Sequence, residues 1–345
     1  MVKQYLATLV DGKDLSQQES SQLLRAMMEG ELSAAQGGAV LTALRMKGET
    51  VNELAGLAMV MREKALRLPP IDSEAVDTCG TGGDGGRTFN ISTAAAIVAA
   101  AAGVKVAKHG NRAVTGKSGS ADVLEALGVD IQQNAEGAAE ALKQKGICFL
   151  FAPLFHRAMK HVMPIRKELG FRTCFNLLGP LANPAGVKRQ LVGVYDPALT
   201  EPVAKVLQLL NTEQAMVVAG MDGIDEISVT GETQVSELKN GKVTTYRITP
   251  EKLGLNRSNL SDLAGGDAKR NAQIIKEVFQ GSAGPQRDVI VANAGAVISI
   301  AGLANGMEEG IQLAGKAIDS GEALAKLKDM RGFQEQFQEE ISHVS

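Results

Sequence analysis

The chain has 345 residues, 44% of them hydrophobic and 22% charged, with a formal net charge of −3. That length and balance describe a globular protein with a sizeable core, divided into one large and one small domain. The slightly acidic total gives no global attraction to nucleic acid or an anionic membrane, and a chain with no Trp and only 3% aromatics lacks a base-stacking platform.

The first ~70 residues read as all-helical. Ser16 with Glu19, Ser33 with Gln36 and Thr50 with Glu53 are capping boxes that announce three helices. Gly30 and Gly48 stand where the first two should stop. Leu68-Pro69-Pro70 then breaks the helical pattern and reads as a linker. From Ala75 onward short strands alternate with helices, the signature of an α/β layer fold. Strands are expected at 75–79, 104–107, 147–152, 191–195 and 215–219, and helices at 93–102, 121–127, 136–145, 200–210 and 268–280. Asn240-Gly241 between alternating runs signals a hairpin. The last ~60 residues are helical again. Their apolar run at 289–304 contains Asn293 and is too short for a membrane span, so a buried helix is expected. Cys79, Cys148 and Cys174 show no CxxC and no zinc spacing, which suits a reduced, cytoplasmic setting.

Four stretches carry chemistry. Between Gly80 and Gly86 five glycines crowd together after the first strand, ahead of the small apolar run 94–102. Such a loop brings backbone N–H groups against an anion, and the helix N-terminus adds more of them. Gly80 to Gly85 also satisfies GxGxxG, but Arg87-Thr88-Phe89-Asn90 delays the helix. No ribose-binding carboxylate stands at 104–109, so a dinucleotide fold is disfavoured. Gly110 to Ser118 resembles a P-loop with one residue too many between its glycines, and the polar run Lys108 to Ser120 around it reads as a cationic loop at a strand end. Asp222-Gly223-Ile224-Asp225-Glu226 is a cation site or merely a solvated turn. Arg166 is either a carboxylate clamp or an exposed helix arginine.

Taken together, Gly80-Thr81-Gly82-Gly83-Asp84, Asn90-Ile91-Ser92-Thr93, Lys108-His109-Gly110-Asn111-Arg112, Lys117 to Asp122, Arg166 to Gly170, Asn176 to Pro180 and Asp225-Glu226 closely resemble the anthranilate phosphoribosyltransferase family along essentially the whole chain. The resemblance implies a small helical domain, 1–70, with a returning segment near 160–185, and a large α/β domain, 71–345, with a mostly parallel sheet. Most members are homodimers through the helical domain, and the cleft lies between the domains. It further implies transfer of a phosphoribosyl group from phosphoribosyl pyrophosphate to anthranilate, with Mg²⁺ as cofactor and no nucleic-acid or membrane partner. Contacts to the donor fall on Gly80, Gly83, Asp84, Thr88, Asn90, Ile91, Ser92, Thr93, Lys108, His109, Gly110, Asn111, Arg112, Ala113, Val114, Thr115, Gly116 and Ser120. Anthranilate falls to Gly80, His109, Asn111 and Arg166, and the metal to Ser92, Asp225 and Glu226. Neither a covalent nucleophile nor a general base is implied. One departure is Thr115-Gly116, where members commonly carry two hydroxyl residues. The alternatives are a pyrimidine nucleoside phosphorylase-like enzyme, and a non-enzymatic nucleic-acid-binding relative with a degraded metal site.

Overall fold

The computed structural model describes residues 1–70, 74–82, 86–113 and 116–331. Four helices open the chain: α1 (Val2–Val10), α2 (Gln17–Met28), α3 (Ala34–Lys47) and α4 (Val51–Lys64). All three expected capping boxes form, at Ser16, Ser33 and Thr50. The helix α1 was not announced in sequence because no side chain caps it. Gly48 ends α3 with φ +86°, a conformation that favours glycine.

The remainder is an α/β fold around one seven-stranded sheet. Its strands are β1 (Val76–Gly80), β2 (Val106–Gly110), β3 (Ile147–Phe151), β4 (Arg189–Gly193), β5 (Gln214–Gly220), β6 (Thr233–Lys239) and β7 (Lys242–Ile248). They lie in the order β3-β2-β1-β4-β5-β6-β7. The first five pair in parallel, and β6 and β7 add an antiparallel hairpin. Its turn is Asn240-Gly241, with φ +51° and +71°, as the sequence indicated.

Helices cover both faces. They include α5 (Ile91–Ala101), α6 (Ser120–Ala126), α7 (Ala135–Lys145), α8 (Ala152–Phe155), α9 (Met163–Leu169), α10 (Phe175–Leu181), α11 (Thr200–Leu209), α12 (Ala268–Phe279), α13 (Pro285–Ile300) and α14 (Met307–Asp319), followed by helical residues 322–331. Strand side chains alternate between the faces. Leu191, Met216 and Val218 therefore join α5, α13 and α14 in one core cluster. Val192, Val217 and Ala219 join α11 and the N-terminal helices in another. Segment 157–181 packs back onto the N-terminal helices: Ile165 and Val162 share their core, and Ile165 lies against Gly37. The apolar run at 289–304 falls mostly in α13, whose Asn293 is fully buried and bonded to Ile227 and Val289. Among the described residues no helix is long and apolar enough to cross a membrane.

Two boundaries differ from expectation in a way that matters. The second strand was expected at 104–107 but runs 106–110, so Lys108 and His109 belong to the sheet rather than to a loop. Pairing decides this: Lys108 and His109 align with Phe149 and Leu150 of β3. Similarly, β1 extends to Gly80 because Gly80 pairs with Gly193.

Candidate active site

From β1 the chain proceeds to β2 and β3 on one side, while β4 and β5 lie on the other, so the strand order reverses beside β1. The carboxyl ends of β1 and β4 therefore flank the crevice where open α/β sheets bind ligands. Both end in glycine, and the reason is space. A Cβ on Gly80 would lie 2.6 Å from Asp225 Oδ2, and one on Gly193 would lie 1.6 Å from the Asp225 carbonyl oxygen. The acidic turn 222–226 thus sits directly on the two strand ends. The Gly82 N–H donates to Asp225 Oδ2 at 2.9 Å, and the Ser92 N–H donates to Glu226 Oε1 at 3.1 Å. Glu226 is thereby placed on the positive end of α5. Asp222 anchors this turn by accepting from the hydroxyls of Ser228 and Thr230, and Arg87 reaches across to donate to the Gly223 carbonyl.

Lys108 lies beneath this group. Its side chain is buried, and Nζ donates to the Thr78 carbonyl at 2.6 Å and to Ser92 Oγ at 3.3 Å. Burial pushes its pKa down, and the charges of Asp77, Cys79 and Glu226 oppose that push. Asp77, also fully buried, accepts from the His109 N–H at 3.1 Å, and burial pushes its carboxyl pKa up. Among the described residues no three His, Cys, Asp or Glu side chains cluster as a self-sufficient metal site. The oxygens of Asp225, Glu226 and Ser92 nevertheless suit Mg²⁺, which takes one or two carboxylates and completes its shell with phosphate oxygens and water.

A second group joins the two polar stretches. Asn90 Nδ2 donates to the Ser118 carbonyl at 3.1 Å, and Ser118 Oγ donates to Asn90 Oδ1 at 3.1 Å. Gly86 and Gly116 pack backbone to backbone: a Cβ on Gly86, where φ is +72°, would lie 2.9 Å from the Gly116 Cα. Position 116 is thus where the two loops touch, which gives its missing side chain a packing role. Thr88 forms an antiparallel bridge with Ala264. Ile91 is buried in the core, and Thr93 is buried with no hydrogen-bond partner for its hydroxyl among the described residues. Asn111 Oδ1 accepts from the Arg112 N–H, while its carbonyl accepts from Ser120 Oγ at 3.2 Å and from the Ala121 N–H. A Cβ on Gly110 would strike Ser120 Oγ. Arg112 pairs with Asp122 at 2.9 Å and Glu125 at 2.5 Å on α6, over the Phe151 ring, and the Ala113 N–H donates to Asp122. Gly83, Asp84, Val114 and Thr115 lie outside the described residues.

The third group faces α10. His109 Nδ1 lies 3.2 Å from the Gly179 carbonyl, which can only accept, so the ring proton sits on Nδ1. Nε2 is then a buried acceptor without a hydrogen-bond partner among the described residues, and the ring centroid lies 5.0 Å from that of buried His156. Burial, then the His156 charge, pushes the His109 pKa down to about 3. Arg166 is half-buried on α9 with its guanidinium over the Phe175 ring, 5.2 Å from the centroid, and among the described residues it has no carboxylate partner. Phe175 and Gly179 are four residues apart on α10, so one helix face meets both Arg166 and His109.

The chain matches two family models, "Glycosyl transferase family, helical bundle domain" over residues 3–65 and "Glycosyl transferase family, a/b domain" over residues 72–324. It is 52% identical over 337 residues to an anthranilate phosphoribosyltransferase of Acetivibrio thermocellus, with 98% of each chain covered. The chain belongs to the anthranilate phosphoribosyltransferase family. A second relative of that description, from Thermoanaerobacter sp., is 51% identical, with 97% of this chain and 99% of the relative covered. The crystal structure of the Thermus thermophilus member superposes with a TM-score of 0.89 at 42% identity, over 95% of this chain and 98% of that one. The Saccharomyces cerevisiae member, solved in complex with PRPP and Mg, superposes with a TM-score of 0.87 at 31% identity, over 96% and 97%.

Several positions of this family member gave no sequence signal. Asp77, His156, Asn183 and Asn271 are buried polar residues around the three groups. Their partners stand 32 to 181 residues away where hydrogen bonds join them to the site, so no local motif marks them.

Proposed function

We propose that this chain transfers the 5-phosphoribosyl group of phosphoribosyl pyrophosphate to the amine of anthranilate, releasing pyrophosphate. The observation that carries this reading is the seating of Asp225 and Glu226 on the glycine strand ends and the α5 N-terminus, at the sheet's switch point. There the Gly82 and Ser92 N–H groups hold the two carboxylates, which with Ser92 Oγ make a hard-oxygen donor set beside the strand ends. Asp225, Glu226 and Ser92 would hold Mg²⁺, which would neutralise the departing pyrophosphate. The glycine stretch Gly80 to Asp84 would let the pyrophosphate approach closely, and the positive end of the α5 dipole would favour its oxygens. Lys108 lies beneath them and, through its hydrogen bond to Ser92 Oγ, orients the hydroxyl. Thr88, Asn90 and Thr93 would line the α5 N-terminus beneath the phosphates, and the stretch from Lys108 to Gly116 with Ser120 would close over the ribose phosphate.

Arg166, stacked on Phe175, would take the anthranilate carboxylate with its planar donor edge. Gly80, His109 and Asn111 would shape the rest of that pocket. The bond from C1 to pyrophosphate breaks while the neutral aromatic amine forms its bond to C1, and the acidic ammonium so formed gives up one proton to water or to the released pyrophosphate. A histidine whose conjugate acid ionises at about 3 is a poor proton acceptor near pH 7, which supports an orienting role for His109 and no general base. We further propose a helical unit over 1–70, with segment 160–185 returning to it, and a dimer through that unit. Val10, Met46 and Met59 are exposed apolar side chains on α1, α3 and α4 that support the latter. Three buried free thiols support a reducing, cytoplasmic setting.

The test is loss of anthranilate fluorescence on mixing with phosphoribosyl pyrophosphate and Mg²⁺. Consumption dependent on both is expected. Unchanged fluorescence with active-site-intact protein would overturn the reading.

A further inference from the structure

Residues 263–271 form a strap over the segment that links the glycine loop to α5. The Phe89 N–H donates to the Leu263 carbonyl at 3.2 Å, the Gly265 N–H donates to the Arg87 carbonyl at 3.2 Å, and Thr88 bridges Ala264. The fit is close: a Cβ on Gly265 would lie 2.6 Å from the Thr88 carbonyl oxygen. The strap ends in α12, and there Asn271, only 2% exposed, does two things. Its Oδ1 accepts from the Gly266 N–H at 2.7 Å, which holds the strap, and its Nδ2 donates to Asn90 Oδ1 at 2.9 Å.

Orientation follows from this second bond. Asn90 Oδ1 receives Asn271 and the Ser118 hydroxyl, so its amide NH₂ is turned toward the Ser118 carbonyl. An amide pinned this way joins the α5 N-terminus to the loop that begins α6. Without the Asn271 donor, the Asn90 amide could flip, and an oxygen would then face the Ser118 carbonyl. We infer that Asn271 is a positioning residue of the donor half of the site: it fixes the Asn90 amide and through it the registry of the 86–93 and 116–120 stretches. This rests on the transfer reaction proposed above and extends it to a residue 181 positions away from Asn90 that would not itself touch substrate.

Two substitutions separate positioning from packing. Asn271→Asp keeps the shape and the acceptor for Gly266 but removes the donor to Asn90. Asn271→Ala removes both. Calorimetric titration with phosphoribosyl pyrophosphate and Mg²⁺ is expected to give a Kd about tenfold higher for both variants, with the KM for anthranilate changed less than about twofold. Hydrogen–deuterium exchange is expected to accelerate at residues 88–92 in both and to stay unchanged in α2 to α4. Donor affinity and exchange that are normal in Asn271→Asp, or a loss shared equally by both substrates, would overturn the role. If the wild-type protein neither binds the donor nor consumes anthranilate, the proposed reaction fails, and the exchange pattern alone then decides for or against Asn271.

Discussion

Gly80→Ala tests the seating of the acidic pair directly. Gly80 does not use a left-handed conformation, so alanine meets no backbone strain there. Space is the issue: the new methyl would stand 2.6 Å from Asp225 Oδ2 and 3.2 Å from its Cγ. Carbon–oxygen contacts settle at roughly 3.3–3.6 Å, so the carboxylate must retreat by about 0.8 Å. That retreat breaks or bends the 2.9 Å hydrogen bond from the Gly82 N–H. A hydrogen bond to a charged group is worth about 1.5–3 kcal/mol. Misplacing a reacting arrangement by about 1 Å costs on the order of 100-fold in rate. The expected result is kcat/KM lower by about 10- to 100-fold, together with a raised Mg²⁺ half-saturation, in the fluorescence assay. Thermal unfolding should shift by no more than about 4 °C, because the change falls at a strand end beside a movable side chain. Activity and Mg²⁺ dependence both within about twofold of the parent would refute the argument that Gly80 makes room for the metal-side carboxylate.

Asp225→Ala with Glu226→Ala should abolish Mg²⁺-dependent turnover while circular dichroism reports an intact fold; undiminished, metal-dependent turnover would reduce the pair to a structural turn. Arg166→Ala should raise the KM for anthranilate by about tenfold or more and that for the donor by much less, since a charged hydrogen bond is lost at one substrate only; equal rises would remove the carboxylate assignment. Stability should also depend on pH. Burial lowers the pKa of His156 from 6.5 to about 4, and that of His109 to about 3. Between about pH 6.5 and pH 4 the unfolded chain binds protons that the folded chain refuses, so these groups make stability fall as pH falls. Each contributes a slope of about 1.4 kcal/mol per pH unit within its window. Urea unfolding of His156→Gln should therefore show a shallower loss across pH 6 to 4.5 by about one proton, whereas Asp77, whose raised pKa acts in the opposite direction, is common to both proteins and cancels. Identical slopes would show that His156 titrates normally in the fold.

Local chemistry made much of this molecule legible in one dimension. Capping boxes at Ser16, Ser33 and Thr50 are satisfied within three residues, so their helices are written where they form. The Asn240-Gly241 hairpin and the strand–helix alternation are equally local, and the α/β class followed from them. Helix α1 escaped because burial of Tyr5 and Leu9, not a cap, stabilises it.

The sequence by itself determined which chemistries were within reach: a glycine-rich anion cradle, a basic stretch, an acidic pair and an arginine, in an order that resembles one family throughout. Tertiary structure alone decided how they meet. Lys108 and His109 became strand residues because β3 pairs with them, and pairing across 41 residues leaves no local mark. Gly80 and Gly193 are glycines because a turn from 225 lies on both, a steric fact visible only when three segments converge. Asn271 and Asp77 acquired partners through burial, where an unpaired polar group is costly and any donor brought close by the fold must be used.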